Sequence, residues 1–202
     1  MIITIDGPAG TGKSTVSKAV AKRLGFTYFN TGALYRAVAY EVDRTQGDPV
    51  AIAHGLRFRI EGERYFVGDE DVTEVIRTPK VTRLSSEYSS IPEVREAVLH
   101  FQKTFALLGN TVFEGRDLGT VVFPEADLKI FLTATPEKRA ERRFKELQGV
   151  TFEEVLKELK ERDLSDTTRK VAPLRQAVDA HLIDTSHLTI EQAVDRIIQL
   201  IT

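Results

Sequence analysis

The run Gly7-Pro8-Ala9-Gly10-Thr11-Gly12-Lys13-Ser14, continued by Thr15, constrains the fold of this 202-residue chain more than any other stretch. Glycines at 7, 10 and 12 let successive backbone N–H groups curl around a phosphate with no side chain in the way. Lys13 can reach the β- and γ-phosphates as a point charge, and the Ser14 hydroxyl is placed to ligate Mg²⁺. The residues from Lys13 to Leu24 read as a helix whose N-terminal dipole end faces the same anion. Before the loop, Ile2-Ile3-Thr4-Ile5 is an apolar run suited to a buried parallel strand. A glycine-rich turn without a ligand needs none of this context. The expectation is a nucleoside triphosphate site built from Gly7, Pro8, Ala9, Gly10, Thr11, Gly12, Lys13, Ser14 and Thr15, with Ser14 as metal ligand.

Composition narrows the rest. With 42% hydrophobic residues, the chain has enough apolar material for one sizeable core, so a single domain over 1–202 is expected. The net charge of -2 gives no global basic field, which argues against nucleic acid or an anionic membrane as partner. No cysteine is present, which excludes disulfides, thiolate zinc sites and a cysteine nucleophile. No apolar run approaches the roughly 20 residues that cross a bilayer, and a cytoplasmic protein is expected.

Further along, Phe26–Phe29 reads as a second strand, Asn30-Thr31-Gly32 as a cap signal, and about Ala33 to Arg44 as a helix. Thr31 and Arg36 near its start become candidates for a second phosphate. From Leu56 to Val72 the pattern switches to period two with turns at Gly62 and Gly68, which predicts a small antiparallel sheet inserted into an alternating strand and helix fold. Thr78–Tyr88 and Pro92–Leu108 read as helices carrying Ser86 and Arg95. Thr111–Glu114 is a third apolar run, and Arg116-Asp117 follows it where parallel sheets bind ligands; the alternative role for Asp117 is to cap a following helix.

Leu128–Leu132 predicts another strand and Thr135-Pro136-Glu137 a helix start. Arg139, Arg142 and Arg143 share one face of that helix, solvated and paired with Glu141 and Glu146 in the plainest reading. Gln148-Gly149 is expected to break it, and Thr151–Thr167 to form another helix with Glu154 completing a capping box. Arg162, Asp166 and Arg169 fall on one stripe, either an intrahelical ion-pair ladder or an anion-binding arm. Leu182–Asp184 is a last strand before a closing helix that starts at Ser186 or Thr189.

Phosphoryl transfer asks a protein to align donor and acceptor and to neutralise charge on the moving group. A phosphate loop, Mg²⁺, an acceptor site and mobile arginines suffice. The successive segments GPAGTGKST, NTGALYRA, PEVREAV, EGRDLGTVVFP, ERDLSDTTRKVAPL and DAHLIDTS resemble the motifs of the bacterial cytidylate kinase family along nearly the whole chain. This resemblance implies an α/β fold of three layers, the P-loop NTPase fold, with a central parallel sheet flanked by helices, a nucleotide-binding insertion at about 56–80 and a lid at about 139–168. It implies ATP and Mg²⁺ as donor and cofactor, CMP and dCMP as acceptors, and a monomer, because such kinases need no partner to complete the site. It also implies that Thr31, Arg36, Arg116 and Arg169 hold the CMP phosphate, that Ser86, Arg95 and Asp117 face cytosine, and that Arg162 and Asp166 meet the ribose. Lys13, Arg139, Arg143 and Arg162 are its implied catalytic cations. Asn30 stands where many relatives have Asp, and the lid around Leu147–Phe152 and the small sheet insertion are both shorter than in some relatives.

Two other readings fit the loop. Another small-molecule kinase fits Gly7–Ser14 equally well but not Asp117 and Ser86. A nucleotide-dependent switch lacks, in this sequence, an Asn-Lys-x-Asp guanine-reading element.

Overall fold

The structure, a computed structural model, describes residues 1–147 and 149–201. Gln148, half of the expected helix break, and Thr202 lie outside the described residues. In chain order the elements are β1 (Ile2–Asp6), α1 (Lys13–Leu24), β2 (Thr27–Asn30), α2 (Thr31–Thr45), α3 (Pro49–Gly55), β3 (Phe58–Glu61), β4 (Arg64–Val67), β5 (Glu70–Asp71), α4 (Pro79–Tyr88), α5 (Pro92–Ala106), β6 (Thr111–Glu114), β7 (Leu128–Thr133), α6 (Pro136–Phe144), α7 (Phe152–Thr168), β8 (His181–Asp184) and α8 (Ile190–Ile198). The chain forms two compact units, Met1–Phe29 with Leu108–Thr202, and Asn30–Leu107.

The first unit holds a five-stranded parallel sheet in the order β2-β6-β1-β7-β8. Side chains alternate across each strand. Ile3 and Ile5 of β1, Val112 of β6, Ile130 and Leu132 of β7 and Ile183 of β8 therefore meet Val16, Val20 and Ala21 of α1 and Ala193, Val194 and Ile197 of α8 in one core. On the other face, Phe113 packs against Phe29 (5.3 Å between ring centres) and Phe123 (4.5 Å). The same alternation sorts the polar ends of the strands. Ile5 pairs with Glu114, so Glu114 points to the α1 face, while Asp6, one residue on, points to the opposite one.

The expected helix starts at Thr135, Thr151 and Thr189 are all found as side-chain caps, and Thr151 and Thr189 form reciprocal capping boxes with Glu154 and Gln192. The alternative role of Asp117, as a helix cap, is not what the structure shows. Asp117 stands at the start of a short π-helical turn, Leu118–Val122, yet makes no capping bond with its side chain.

The second unit packs α2 against α4 and α3 against α5. Its antiparallel sheet, β3-β4-β5, pairs Phe58 with Val67 and Phe66 with Asp71, which is the expected small sheet. Phe58 stacks on Tyr65 (5.8 Å) and meets the edge of Phe101 (5.9 Å). Helix α2 begins two residues before the expected Ala33, because Asn30 Oδ1 accepts the Ala33 N–H at 3.0 Å. Helix α3 was not read from the sequence: its seven residues make under two turns, too short for a helical period to stand out, and the one local signal is the cap and proline of Asp48-Pro49.

Candidate phosphoryl-transfer site

The loop between β1 and α1 sits at the carboxyl end of the central strand. Gly7 has φ +144°, and a Cβ there would overlap the Leu132 carbonyl oxygen of β7. Gly10 has φ +76°, with the Arg139 Cβ 3.0 Å from where its own would stand. The loop is therefore pressed between β7 and α6 at a distance only glycine permits. Gly12 occupies the cap position of α1 with no side-chain capping bond, and the first turn of α1 carries no acidic residue. Its orphan N–H groups and positive dipole end suit an anion.

Lys13 is buried, and its Nζ donates to the Pro8 carbonyl at 2.6 Å. Burial pushes its ammonium well below the ordinary lysine range, and the nearby charges of Arg116 and Arg162 push the same way against Glu114 and Asp166. An anion between these cations would offset their mutual repulsion. Ser14 and Thr15 open α1 and are exposed. The Ser14 hydroxyl donates to Glu114 Oε1 at 2.7 Å, and Tyr28 donates to the other carboxylate oxygen.

Past β6, Arg116 Nε donates to Asp166 Oδ2 at 2.9 Å, and Arg169 Nη2 to Asp117 Oδ1 at 3.2 Å. Burial acts to raise Asp166, but Arg116, Arg162 and Arg169 outweigh it and hold the carboxyl below its ordinary value. Of the two readings of the Arg162, Asp166 and Arg169 stripe, the intrahelical ladder departs from the structure in two respects. Helix α7 ends at Thr168, so Arg169 leaves the stripe, and the salt bridges of Asp166 and Arg169 run to Arg116 and Asp117 beyond β6.

The three arginines of α6 also part company. Arg139 is 4% exposed and donates to the carbonyls of Ala134 and Ala9 at 3.1 Å each and to Asp163 Oδ2 at 2.6 Å. Arg142 donates to the Thr11 carbonyl at 3.2 Å and to Thr185. Only Arg143 matches the solvated reading, on Glu146 at 2.9 Å. Ala9 is buried with Ala140, Val155 and Leu159, so α6 and α7 pack onto the loop itself.

The remaining candidates lie in the second unit. Thr31 is the buried first residue of α2, and the Arg36 guanidinium folds back over the first turn, 3.1 Å from where a Cβ of Gly32 would stand. Arg95 is buried, donates to the Ser89 carbonyl at 3.2 Å and lies 5.7 Å from the Tyr35 ring centre. Ser86 donates to the Thr82 carbonyl at 3.3 Å.

Sequence reasoning missed Glu114 and Asp6. The available signal was the same for both: an acidic residue closing an apolar strand run, at the sheet edge where ligands bind. Asp6 accepts the backbone N–H groups of Leu118 (3.0 Å) and Gly119 (2.8 Å). Burial raises it to about 7, helped by the Asp117 charge and opposed by those two bonds and by Lys13.

Sheet order, the loop after β1 and the cations around Lys13 define a P-loop nucleotide-binding protein. Shikimate kinase from Bacteroides thetaiotaomicron shares the fold, with TM-score 0.51, 17% identity and coverage of 100% of this chain and 98% of that one. So does an uncharacterized protein from Eubacterium ventriosum, with TM-score 0.57, 16% identity and coverage of 100% and 97%. Sequence comparison goes further. The family model described as cytidylate kinase matches residues 3–202. The cytidylate kinase of Carboxydothermus hydrogenoformans is 46% identical over 215 residues, covering 100% of this chain and 97% of the relative. That of Caldanaerobacter subterraneus is 47% identical over 209 residues, covering 98% and 93%. The chain belongs to the cytidylate kinase family.

Proposed function

We propose that this protein transfers the γ-phosphoryl group of ATP to CMP or dCMP, giving ADP and CDP or dCDP. The observation that carries this reading is the convergence of Lys13, Arg116 and Arg162 beside an uncapped helix N-terminus, in a chain of this family.

The backbone N–H groups of Ala9–Ser14 bind the donor phosphates. Lys13 exchanges its Pro8 carbonyl for phosphate oxygens, and with Arg162 it offsets charge developing on the transferred group. Mg²⁺ requires hard oxygen ligands and keeps several waters, which the Ser14 hydroxyl and the Glu114 carboxylate beside it fit. Held there, it would neutralise charge on the donor phosphates. Arg139 serves by holding the lid helices onto the loop through Ala9 and Asp163, and Arg143 is the lid arginine with an exposed side chain.

On the acceptor side, Arg116 and Arg169 bind the CMP phosphate, Asp117 faces the cytosine amino group, and Arg162 and Asp166 meet the ribose. From the second unit, Thr31 and Arg36 are proposed for phosphate and Ser86 and Arg95 for the base. Uracil puts a carbonyl where cytosine has its amino group. Against the Asp117 carboxylate that mismatch costs about 1–3 kcal/mol, so CMP and dCMP are preferred to UMP. The lid at 139–168, the insertion at 56–80, a monomeric state and a cytoplasmic site of action belong to the same proposal; among the described residues no helix is long and apolar enough to cross a membrane.

ADP release measured with purified protein, Mg²⁺-ATP and a panel of nucleoside monophosphates tests the reading. Activity nearly silent until CMP or dCMP is added supports it. Slow hydrolysis indifferent to the acceptor would indicate a nucleotide switch, and response to a different acceptor another kinase.

A further inference from the structure

We infer that Asp6 is a positioning residue that caps the turn after Asp117 in place of Asp117 itself, so that the Asp117 carboxylate stays out of the cap, held by Arg169, where it reads the base. The inference rests on the reading of Asp117 given above and adds a second residue to that specificity.

The π-helical turn Leu118–Val122 starts as helices do, with N–H groups in its first turn that lack an acceptor within the turn and need one from elsewhere. The residue at the cap position ordinarily supplies it, and aspartate is among the best at doing so. Asp117 occupies that position, but its side chain makes no capping bond and accepts from Arg169 instead. Its main-chain carbonyl is committed to the turn, accepting from Val121 (2.9 Å), Val122 (3.3 Å) and the Thr120 hydroxyl (3.3 Å). The missing cap comes from a strand more than a hundred residues earlier. Asp6 uses both carboxylate oxygens, Oδ1 for Leu118 N–H and Oδ2 for Gly119 N–H.

The geometry around this clamp is tight. Asp6 is 4% exposed, and a Cβ on Gly119 would stand 3.3 Å from the Thr4 hydroxyl and from the Lys129 side chain. Gly115 N–H also donates to the Ile5 carbonyl at 3.1 Å. The segment carrying Arg116 and Asp117 is thus pinned to β1 on both sides, by Gly115 before it and by Leu118 and Gly119 after it. Because Gly7 follows Asp6 directly, the strand that carries the donor loop also fixes the register of the base-reading carboxylate.

Asp6→Asn keeps the shape but offers one acceptor oxygen and one amide nitrogen, so one of the two N–H groups loses its partner. Expected are a KM for CMP raised about tenfold and a CMP-over-UMP preference reduced by a similar factor, with the KM for ATP within about twofold of the parent. A purely structural role would instead lower the folded fraction, and with it kcat, while leaving both KM values and the preference unchanged; that result overturns the inference. Should the variant fail to fold, amide hydrogen exchange in the unmodified protein decides. Strong protection of Leu118 and Gly119 amides supports the clamp, and exchange at the rate of an exposed turn overturns it. Loss of CMP preference in the unmodified enzyme would count against the reading of Asp117 instead, so the two failures are distinguishable.

Discussion

The Ser14 hydroxyl and the Glu114 carboxylate meet at 2.7 Å although a hundred residues separate them in the chain. They meet because β1 and β6 are parallel neighbours and Ile5 stands in register with Glu114, which puts that carboxylate on the face covered by α1. Glu114→Gln should keep the hydrogen bond but remove the charge. The free Mg²⁺ concentration for half-maximal activity is expected to rise about tenfold, while thermal stability without Mg²⁺ changes little. An unshifted Mg²⁺ titration would remove Glu114 from the metal site.

Lys13 is held among like charges and donates to its own loop. Lys13→Met is expected to lower kcat by at least about a hundredfold in the CMP-dependent assay, with the protein still folded by circular dichroism. Near-parental turnover would mean that this side chain does not reach the transferring phosphate.

Replacing Asp117 by Asn gives the base position a donor as well as an acceptor. The ratio of kcat/KM for CMP over UMP is expected to narrow by about tenfold or more, measured with both acceptors at saturating ATP. An unchanged ratio would place base recognition elsewhere.

Arg116 and Asp166 form a pair with 20% and 11% of their side chains exposed. Removing one partner leaves the other charge uncompensated, and Asp166→Asn should lower unfolding free energy at neutral pH by about 2–4 kcal/mol in urea titrations. Native Asp166 releases its proton more readily than the unfolded chain, whose value is near 3.8. Its stabilisation is therefore complete above that value and fades as pH falls through the lower native one. The gap between parent and variant should close in acid, and a gap constant down to pH about 2 would refute the assignment.

Gly7 cannot carry a side chain without meeting the Leu132 carbonyl, whereas Gly55 in α3 has open space around it. Gly7→Ala is expected to cost at least about 3 kcal/mol, and Gly55→Ala to be neutral or stabilising by up to about 1 kcal/mol. Denaturant melts of the two variants check the contrast.

Local patterns carried a large part of this protein. Alternation and apolar runs located β1, β6 and β7, the caps at Thr135, Thr151 and Thr189 were legible as single residues, and the turn glycines at 62 and 68 bounded the small sheet. These features depend on neighbours within a turn or two of chain, so the amino-acid order alone decides them. Partner choice among charges is different. Arg162, Asp166 and Arg169 look self-sufficient along a helix, yet Asp166 takes Arg116 and Arg169 takes Asp117, across 50 and 52 residues. Arg139 looks solvated but is buried against Ala9. Asp6 reaches a turn that Asp117 would cap if chain proximity were decisive. Only the packed sheet sets these pairs, because an ion pair or a buried acceptor depends on distance in space and on exclusion of water, neither of which chain spacing specifies.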